Sequence, residues 1–97
     1  MKITNITSTA GYLVRSAHPE TVIGTHRAAD IDNYIKAMEK LIPKGSDQWH
    51  VARVEEDGFV IILLMQQFHN RDAAVSAARA RNMPSVYDLK KDEFTPI

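Results

Sequence analysis

The amino-acid sequence predicts an α+β domain: an antiparallel sheet of four to five strands with two helices packed mainly on one face. Between Ala28 and Ile42, apolar residues recur at the three- and four-residue spacing of a helix. Gly58 is followed by seven consecutive apolar residues, Phe59 to Met65. A run this short after a turn is typical of a strand buried on both faces. A ferredoxin-like or split βαβ arrangement is the nearest named architecture.

The segment before the first helix predicts short strands. Residues 2–7 and 11–16 alternate between apolar and polar side chains, as half-buried strands do. Pro19 lacks a backbone donor and predicts a turn. Residues 21–23 are then expected to form a further short strand that closes a hairpin.

The first helix is expected over residues 28–42. Thr25 is a plausible N-cap, and Pro43 with Gly45 should end the helix. Aspartates lie in its first turn and lysines near its end, which is the order that the helix dipole favours.

The second half of the chain predicts another hairpin and an alanine-rich helix. Residues 48–54 should pair with residues 59–68 across the turn at Asp57 and Gly58. Asn70 is the expected cap of a helix that reaches Arg81 and packs closely on the sheet. Beyond it, residues 85–89 and 94–97 are expected to form a strand and a short edge strand.

The doubly apolar strand raises the question of what covers the second face of the sheet. More of this chain, a second copy or a partner protein would each do so. A homodimer made by apposing two sheets is therefore one alternative that the burial argument favours.

Composition excludes several classes of function. The 97 residues are expected to form a single domain over residues 1–97. Twelve basic and twelve acidic side chains cancel, so no global field attracts nucleic acid or a membrane. The absence of cysteine excludes disulfides and thiolate metal sites. With no apolar signal sequence, the expected location is the cytoplasm.

No motif in the sequence specifies a chemistry. The four histidines lack metal-ligand spacing, and no serine elbow or phosphate-binding glycine loop is present. We therefore expect no catalytic residue, no metal and no cofactor, and a protein that is not an enzyme. A small enzyme without a recognisable motif remains a further alternative.

Two binding surfaces can be proposed from the sequence. A protein-binding surface would use large side chains typical of interface hot spots together with the acidic hairpin tip, namely Trp49, Phe68, Glu55, Glu56 and Asp57. The alternative is nucleic-acid binding by a basic helix and the lysines after the next strand, namely Arg71, Arg79, Arg81, Lys90 and Lys91.

The stretch Asp72-Ala-Ala-Val-Ser-Ala-Ala-Arg-Ala-Arg-Asn-Met-Pro-Ser-Val-Tyr-Asp-Leu89 resembles the ends of short phage and prophage proteins. As a compact, cysteine-free single domain, the whole chain is similar in character to phage-encoded host-modulating proteins, anti-CRISPRs among them. This resemblance implies a stoichiometric inhibitor or adaptor that acts on a host protein complex.

Overall fold

The computed structural model describes residues 2–6, 9–24 and 27–97. The described chain is an α+β structure with one antiparallel sheet and two helices. Its elements, in chain order, are β1 (Lys2–Ile3), β2 (Tyr12–Arg15), β3 (Thr21–Gly24), α1 (Ala28–Glu39), β4 (Trp49–Glu56), β5 (Phe59–Phe68), α2 (Arg71–Ala80), β6 (Ser85–Asp88) and β7 (Glu93–Pro96). The sheet has seven strands, so the expected four to five is wrong. The excess comes from short strands at both edges and from a strand that is interrupted.

The interrupted strand consists of β2 and β3. The strand order is β1-β4-β5-β2-β6-β7, and β3 also pairs with β5. Tyr12 lies opposite Phe68 and Gly24 lies opposite Phe59, so β2 and β3 follow one side of β5 in the same direction. The expected hairpin between β2 and β3 is therefore wrong. Residues 16–20 loop out of the sheet, and the chain then resumes its pairing with β5.

Both helices pack on one face of the sheet. Ile31 and Met38 of α1 are buried against β5 side chains such as Ile62. Ala74 and Ala78 of α2 are fully buried in a second cluster on this face. The small alanine side chains let α2 lie close to the sheet, as the sequence predicted.

The helix ends follow local hydrogen bonding. The Asn70 side chain accepts bonds from the N–H groups of Asp72 and Ala73, at 2.7 and 3.3 Å, so its predicted cap is confirmed. Helix α1 ends at Glu39, earlier than expected, because the N–H groups of Leu41 and Ile42 bond three residues back and tighten the last turn. Thr25, the predicted cap of α1, lies outside the described residues.

The second face of the sheet is covered by the curl of the sheet itself. The N–H of Ile3 on β1 donates to the hydroxyl of Tyr87 on β6 at 3.3 Å. Four strand spacings, roughly 19 Å in a flat sheet, separate these strands in the sheet order. The sheet must therefore curl around its helix-free side, which we call the concave face. Its side chains, among them Leu13, Met65 and Tyr87, are fully buried without a second copy.

Stability should fall at alkaline pH because of Tyr87. Burial, reinforced by a hydrogen bond from its hydroxyl to Asp92, raises the pKa of Tyr87 to about 12 from 10.0. The folded state therefore holds this proton more tightly than the unfolded state does. The resulting stabilisation is complete below pH 10 and is lost as pH rises from about 10 to about 12. Denaturant unfolding across this pH range should show the free energy of unfolding falling. The fall should be smaller for the Tyr87→Phe variant.

Candidate functional site

An exposed apolar patch lies where the β4–β5 hairpin turns. Phe59 and Val22 are 52 % and 54 % exposed, the most exposed large apolar side chains in the described chain. Ile61 lies directly opposite Val22, and Phe59 lies opposite Gly24, which has no side chain to cover the ring. Phe59, Ile61 and Val22 share the concave face, since cross-strand partners point the same way. We call Val22, Glu56, Phe59 and Ile61 the hairpin-end surface.

Strand β3 beside this surface has an open edge. Within the described residues β3 pairs with β5 alone, whereas β2 pairs with β5 on one side and with β6 on the other. The Ser16 N–H donates to the Leu64 carbonyl, and the Gln67 N–H donates to the Gln48 carbonyl. The backbone N–H and C=O groups of even-numbered β5 residues therefore form hydrogen bonds with β2 and β3. Those of odd-numbered β5 residues form hydrogen bonds with β4.

The register then fixes which groups of β3 are directed outward. Thr21 and Ile23, opposite Ile62 and Val60, bond to β5. The backbone N–H and C=O of Val22 and Gly24 consequently point away from the sheet. The hairpin-end surface thus combines apolar side chains with main-chain groups that have no strand partner among the described residues.

A pocket opens on the concave face next to the same edge. Its volume is about 200 Å³, and its lining residues are Arg15, Glu20, Val54, Ile61, Leu63, Ser85 and Phe94. The floor is apolar, because Val54 and Leu63 are buried. At the rim, Arg15 and Glu20 form an ion pair at 3.1 Å. Ile61 belongs both to the pocket and to the hairpin-end surface, so the two are continuous.

The acidic tip is divided between the two faces of the sheet. Glu55 lies opposite Val60 on the helix side and pairs with Arg53 at 2.9 Å. Glu56 lies opposite Phe59 on the concave side, and Asp57 occupies the turn with a positive φ of 48°. Glu56 and Asp57 are exposed. They give the hairpin-end surface an acidic border.

Trp49 and Phe68, expected to join the acidic tip in one surface, lie at the far end of the hairpin. Trp49 pairs with Gln66, and Glu56 pairs with Phe59, so roughly 24 Å of strand separates Trp49 from the tip. Both aromatic residues are partly buried beneath the helices. The structure does not bring the five residues together.

Arg81 belongs to the same packing region as Trp49. Its guanidinium carbon lies 5.5 Å from the centroid of the Trp49 ring, and its side chain also donates to the Gln66 side chain and to the Arg15 carbonyl. Arg79 on the same helix is exposed.

Replacing these two arginines should therefore have different effects on stability. Arg81→Ala removes a cation–π contact and two hydrogen bonds, and we expect the free energy of unfolding to fall by about 2 kcal/mol. Arg79→Ala should change it by less than about 0.5 kcal/mol. Denaturant unfolding followed by Trp49 fluorescence measures both. Equal effects of the two variants would contradict this role of Arg81.

The basic residues proposed for nucleic-acid binding lie in two groups, one near each end of α2. Lys90 and Lys91 lie at the end opposite the hairpin, in the wall of a pocket of about 570 Å³, whose lining is Thr9, Ala10, Gly11, Tyr12, His69, Asp88, Lys90 and Lys91. Arg71 begins α2 near this end, two residues after His69, whereas Arg79 and Arg81 lie at the other end of the helix. The structure separates the group into two parts.

The histidines do not form a metal centre in the part of the chain that is described, where no cluster of three potential ligands occurs. The His50 Nε2 lies 2.8 Å from the side-chain oxygen of Gln67, which is a structural contact between β4 and β5. Neither of the two helices is long and apolar enough to cross a membrane, as far as the described residues extend.

Sequence reasoning missed Val22 and Phe59. The sequence pattern assigns Phe59 to the buried apolar run and predicts a hairpin strand at residues 21–23. Their exposure follows from pairing: β3 lies at an edge, and Gly24 leaves the Phe59 ring uncovered. The sequence contains one signal, since Gly24 directly follows the apolar residues Val22 and Ile23, but the cross-strand partner of Gly24 is set only by the tertiary fold.

Comparison with known proteins gives no relative: no family model, no curated protein and no solved structure matches this chain.

Proposed function

We propose that the chain is a non-catalytic binding protein that occupies the surface of another protein through its hairpin-end surface. The single observation that carries the proposal is the adjacent exposure of Val22 and Phe59 at an open strand edge. In this role the protein is a stoichiometric inhibitor or adaptor of a host complex, in the manner of the phage-encoded proteins that it resembles. Its place of action is the host cytoplasm.

The physical support is that this patch joins the two most exposed large apolar side chains of the described residues, although most of both sheet faces is covered. The concave face is buried by the curl of the sheet, and the helix face is buried by α1 and α2. An exposed aromatic residue beside aliphatic neighbours, bordered by carboxylates, has the anatomy of an apolar interface core with a polar rim.

A pull-down from nuclease-treated bacterial lysate tests the proposal. Tagged wild-type protein should retain a protein partner, and Phe59→Ser should reduce its recovery at least tenfold while leaving the circular dichroism spectrum unchanged. Tyr34→Ser is the matched control, because Tyr34 is also an exposed aromatic residue, at 42 %, but lies on α1. Equal recovery by wild type and Phe59→Ser, or loss with Tyr34→Ser alone, would contradict the proposal.

Nucleic-acid binding is the second candidate, favoured by one observation. Lys90 and Lys91 share a large pocket with His69 and Tyr12, which offers cationic groups and an aromatic ring to a polyanion. Repeating the pull-down from lysate without nuclease separates the two functions. Species that disappear on nuclease treatment and persist with Phe59→Ser would favour this candidate.

We also propose that the fold is a variant of the ferredoxin-like arrangement. When β2 and β3 are taken as one strand, the chain reads β-α-β-β-α-β, with the inner strands in the order β4-β5-β2-β6. Strands β1 and β7 then extend the sheet at its two edges.

A further inference from the structure

We propose that the pocket of about 570 Å³ beside Lys90 and Lys91 binds a small molecule that carries a phosphate group and an aromatic ring, such as a mononucleotide. None of its lining residues belongs to the hairpin-end surface, so the inference goes beyond the proposed function. The volume lies within the range of small-molecule sites, roughly 300–1,000 Å³. The pocket on the concave face, at about 200 Å³, is smaller than that range.

Two adjacent lysines supply positive charge to this pocket. Lys90 and Lys91 line it, and both are exposed. The ion pairs among the described residues involve arginines only, so neither lysine has a carboxylate partner there. A lysine ammonium group that is not already paired forms charge-assisted hydrogen bonds with phosphate oxygens. His69, also in the lining, offers an N–H donor even when its imidazole is neutral.

Asp88 is the acidic side chain among the described lining residues, and the turn after β6 engages it. Its Oδ1 accepts the backbone N–H groups of Lys90 and Lys91, at 3.0 and 3.2 Å. These bonds hold the turn that places both lysines at the pocket. With His69 neutral, two lysines against one aspartate leave a local excess of one positive charge, in a chain whose net charge is zero. The local field therefore attracts an anion.

Tyr12 supplies an aromatic ring next to these charges. It lies directly opposite Asp88, and cross-strand partners point to the same face with their Cβ atoms roughly 5 Å apart. Tyr12 packs against the cluster that contains Val14 and the buried alanines of α2, so both side chains lie on the helix side of the sheet. Aromatic side chains stack with nucleobases. One ligand in this pocket can therefore contact the ring with its base and the lysines with its phosphate.

The distribution of basic residues favours a small ligand over a nucleic-acid strand. A strand needs a positively charged groove that follows its backbone. Arg79 and Arg81 lie at the other end of α2, and Arg81 already contacts the Trp49 ring and the Gln66 side chain. The positive charge at the pocket is therefore local, and it matches a single phosphate group.

Titration of the full chain with adenosine monophosphate tests the site, with binding followed by calorimetry and by amide NMR signals. The signals of His69, Lys90 and Lys91 should shift, and that of Phe59 should not. Adenosine, which lacks the phosphate, and ribose 5-phosphate, which lacks the base, should each bind at least about tenfold more weakly. No binding of adenosine monophosphate, or equal binding by either fragment, would overturn the proposal. A short 5′-phosphorylated single-stranded DNA that binds more tightly than the mononucleotide would overturn it in favour of nucleic acid.

Charge variants locate the binding at the pocket. The double variant Lys90→Gln/Lys91→Gln keeps the backbone N–H groups that Asp88 accepts, and it should weaken binding of adenosine monophosphate about tenfold or more. The matched control, Lys36→Gln/Lys40→Gln, removes the same charge from two exposed lysines at α1 and should leave binding unchanged. Asp88→Asn keeps a side-chain oxygen for the turn but removes the negative charge, so it should bind at least as tightly as wild type. Equal loss in both double variants, or loss of binding in Asp88→Asn, would overturn the proposal.

Discussion

Replacing Tyr87 with alanine should lower the free energy of unfolding by about 4 kcal/mol. Tyr87 is fully buried, packs edge-on against Phe94 with ring centroids 4.8 Å apart, and joins β6 to β1 through Ile3. Its removal leaves a cavity on the concave face. It also removes the hydrogen bond from the Ile3 N–H, which joins β1 to β6 across the curled sheet. A loss of this size is a large part of the total stability of a small domain, which is about 5–15 kcal/mol.

The variant Tyr87→Phe separates the contribution of the hydroxyl group to stability from that of the ring. This variant keeps the packing against Phe94 but loses the hydrogen bonds to Ile3 and Asp92. We expect a loss of about 1–2 kcal/mol. Urea unfolding of both variants measures the difference. A small effect of Tyr87→Ala would show that the curl does not depend on this residue.

Gly11→Ala should destabilise the protein by at least about 3 kcal/mol. Gly11 has a φ of 89°, and an added Cβ would clash with the carbonyl oxygen of Phe68, a backbone atom that cannot rotate away. Positive φ alone costs an alanine about 1–2 kcal/mol. The Gly11 carbonyl also accepts a hydrogen bond from the Leu89 N–H at 3.1 Å, so displacement of the backbone would disturb the pairing toward β6.

Gly45→Ala is the matched control for Gly11→Ala. Gly45 also has a positive φ, 77°, but an added Cβ there meets no atom within 4 Å. Its cost should therefore be the backbone strain alone, about 1–2 kcal/mol. Thermal unfolding compares the two variants. Equal unfolding midpoints for the two variants would show that the protein relieves the clash with the Phe68 carbonyl without losing stability.

Local patterns predicted the helices and the central hairpin well. The helical spacing located α1, the Asn70 cap located the start of α2, and the Asp57–Gly58 turn located the hairpin. These signals depend on neighbouring residues, so the sequence contains them directly. Strand patterns occur in seven segments, but the pattern of a short segment does not show whether it joins the main sheet, so the expected number of four to five strands was too low.

Long-range pairing was the part that local patterns could not predict. A turn at Pro19 is equally compatible with a hairpin and with a bulge that returns the chain to the same partner strand. Only the register of β2 and β3 on β5 decides between them. The open edge of β3 follows from that register, and so does the exposure of Val22. The candidate site was therefore predicted only in its acidic tip.

The curl of the sheet likewise depends on contacts distant in sequence. Ile3 and Tyr87 are 84 residues apart, and no periodicity in the chain connects them. The doubly apolar strand correctly required a cover for its second face. That cover proved to be the chain itself.

Photo-crosslinking tests the central claim, that a protein partner binds at the hairpin end. Benzoylphenylalanine would be placed at Phe59 in one protein and at Tyr34 in another, and each would be irradiated in nuclease-treated bacterial lysate. We expect a crosslinked protein from position 59 and little from position 34. Crosslinks from position 34 alone, or from neither position, would contradict the claim.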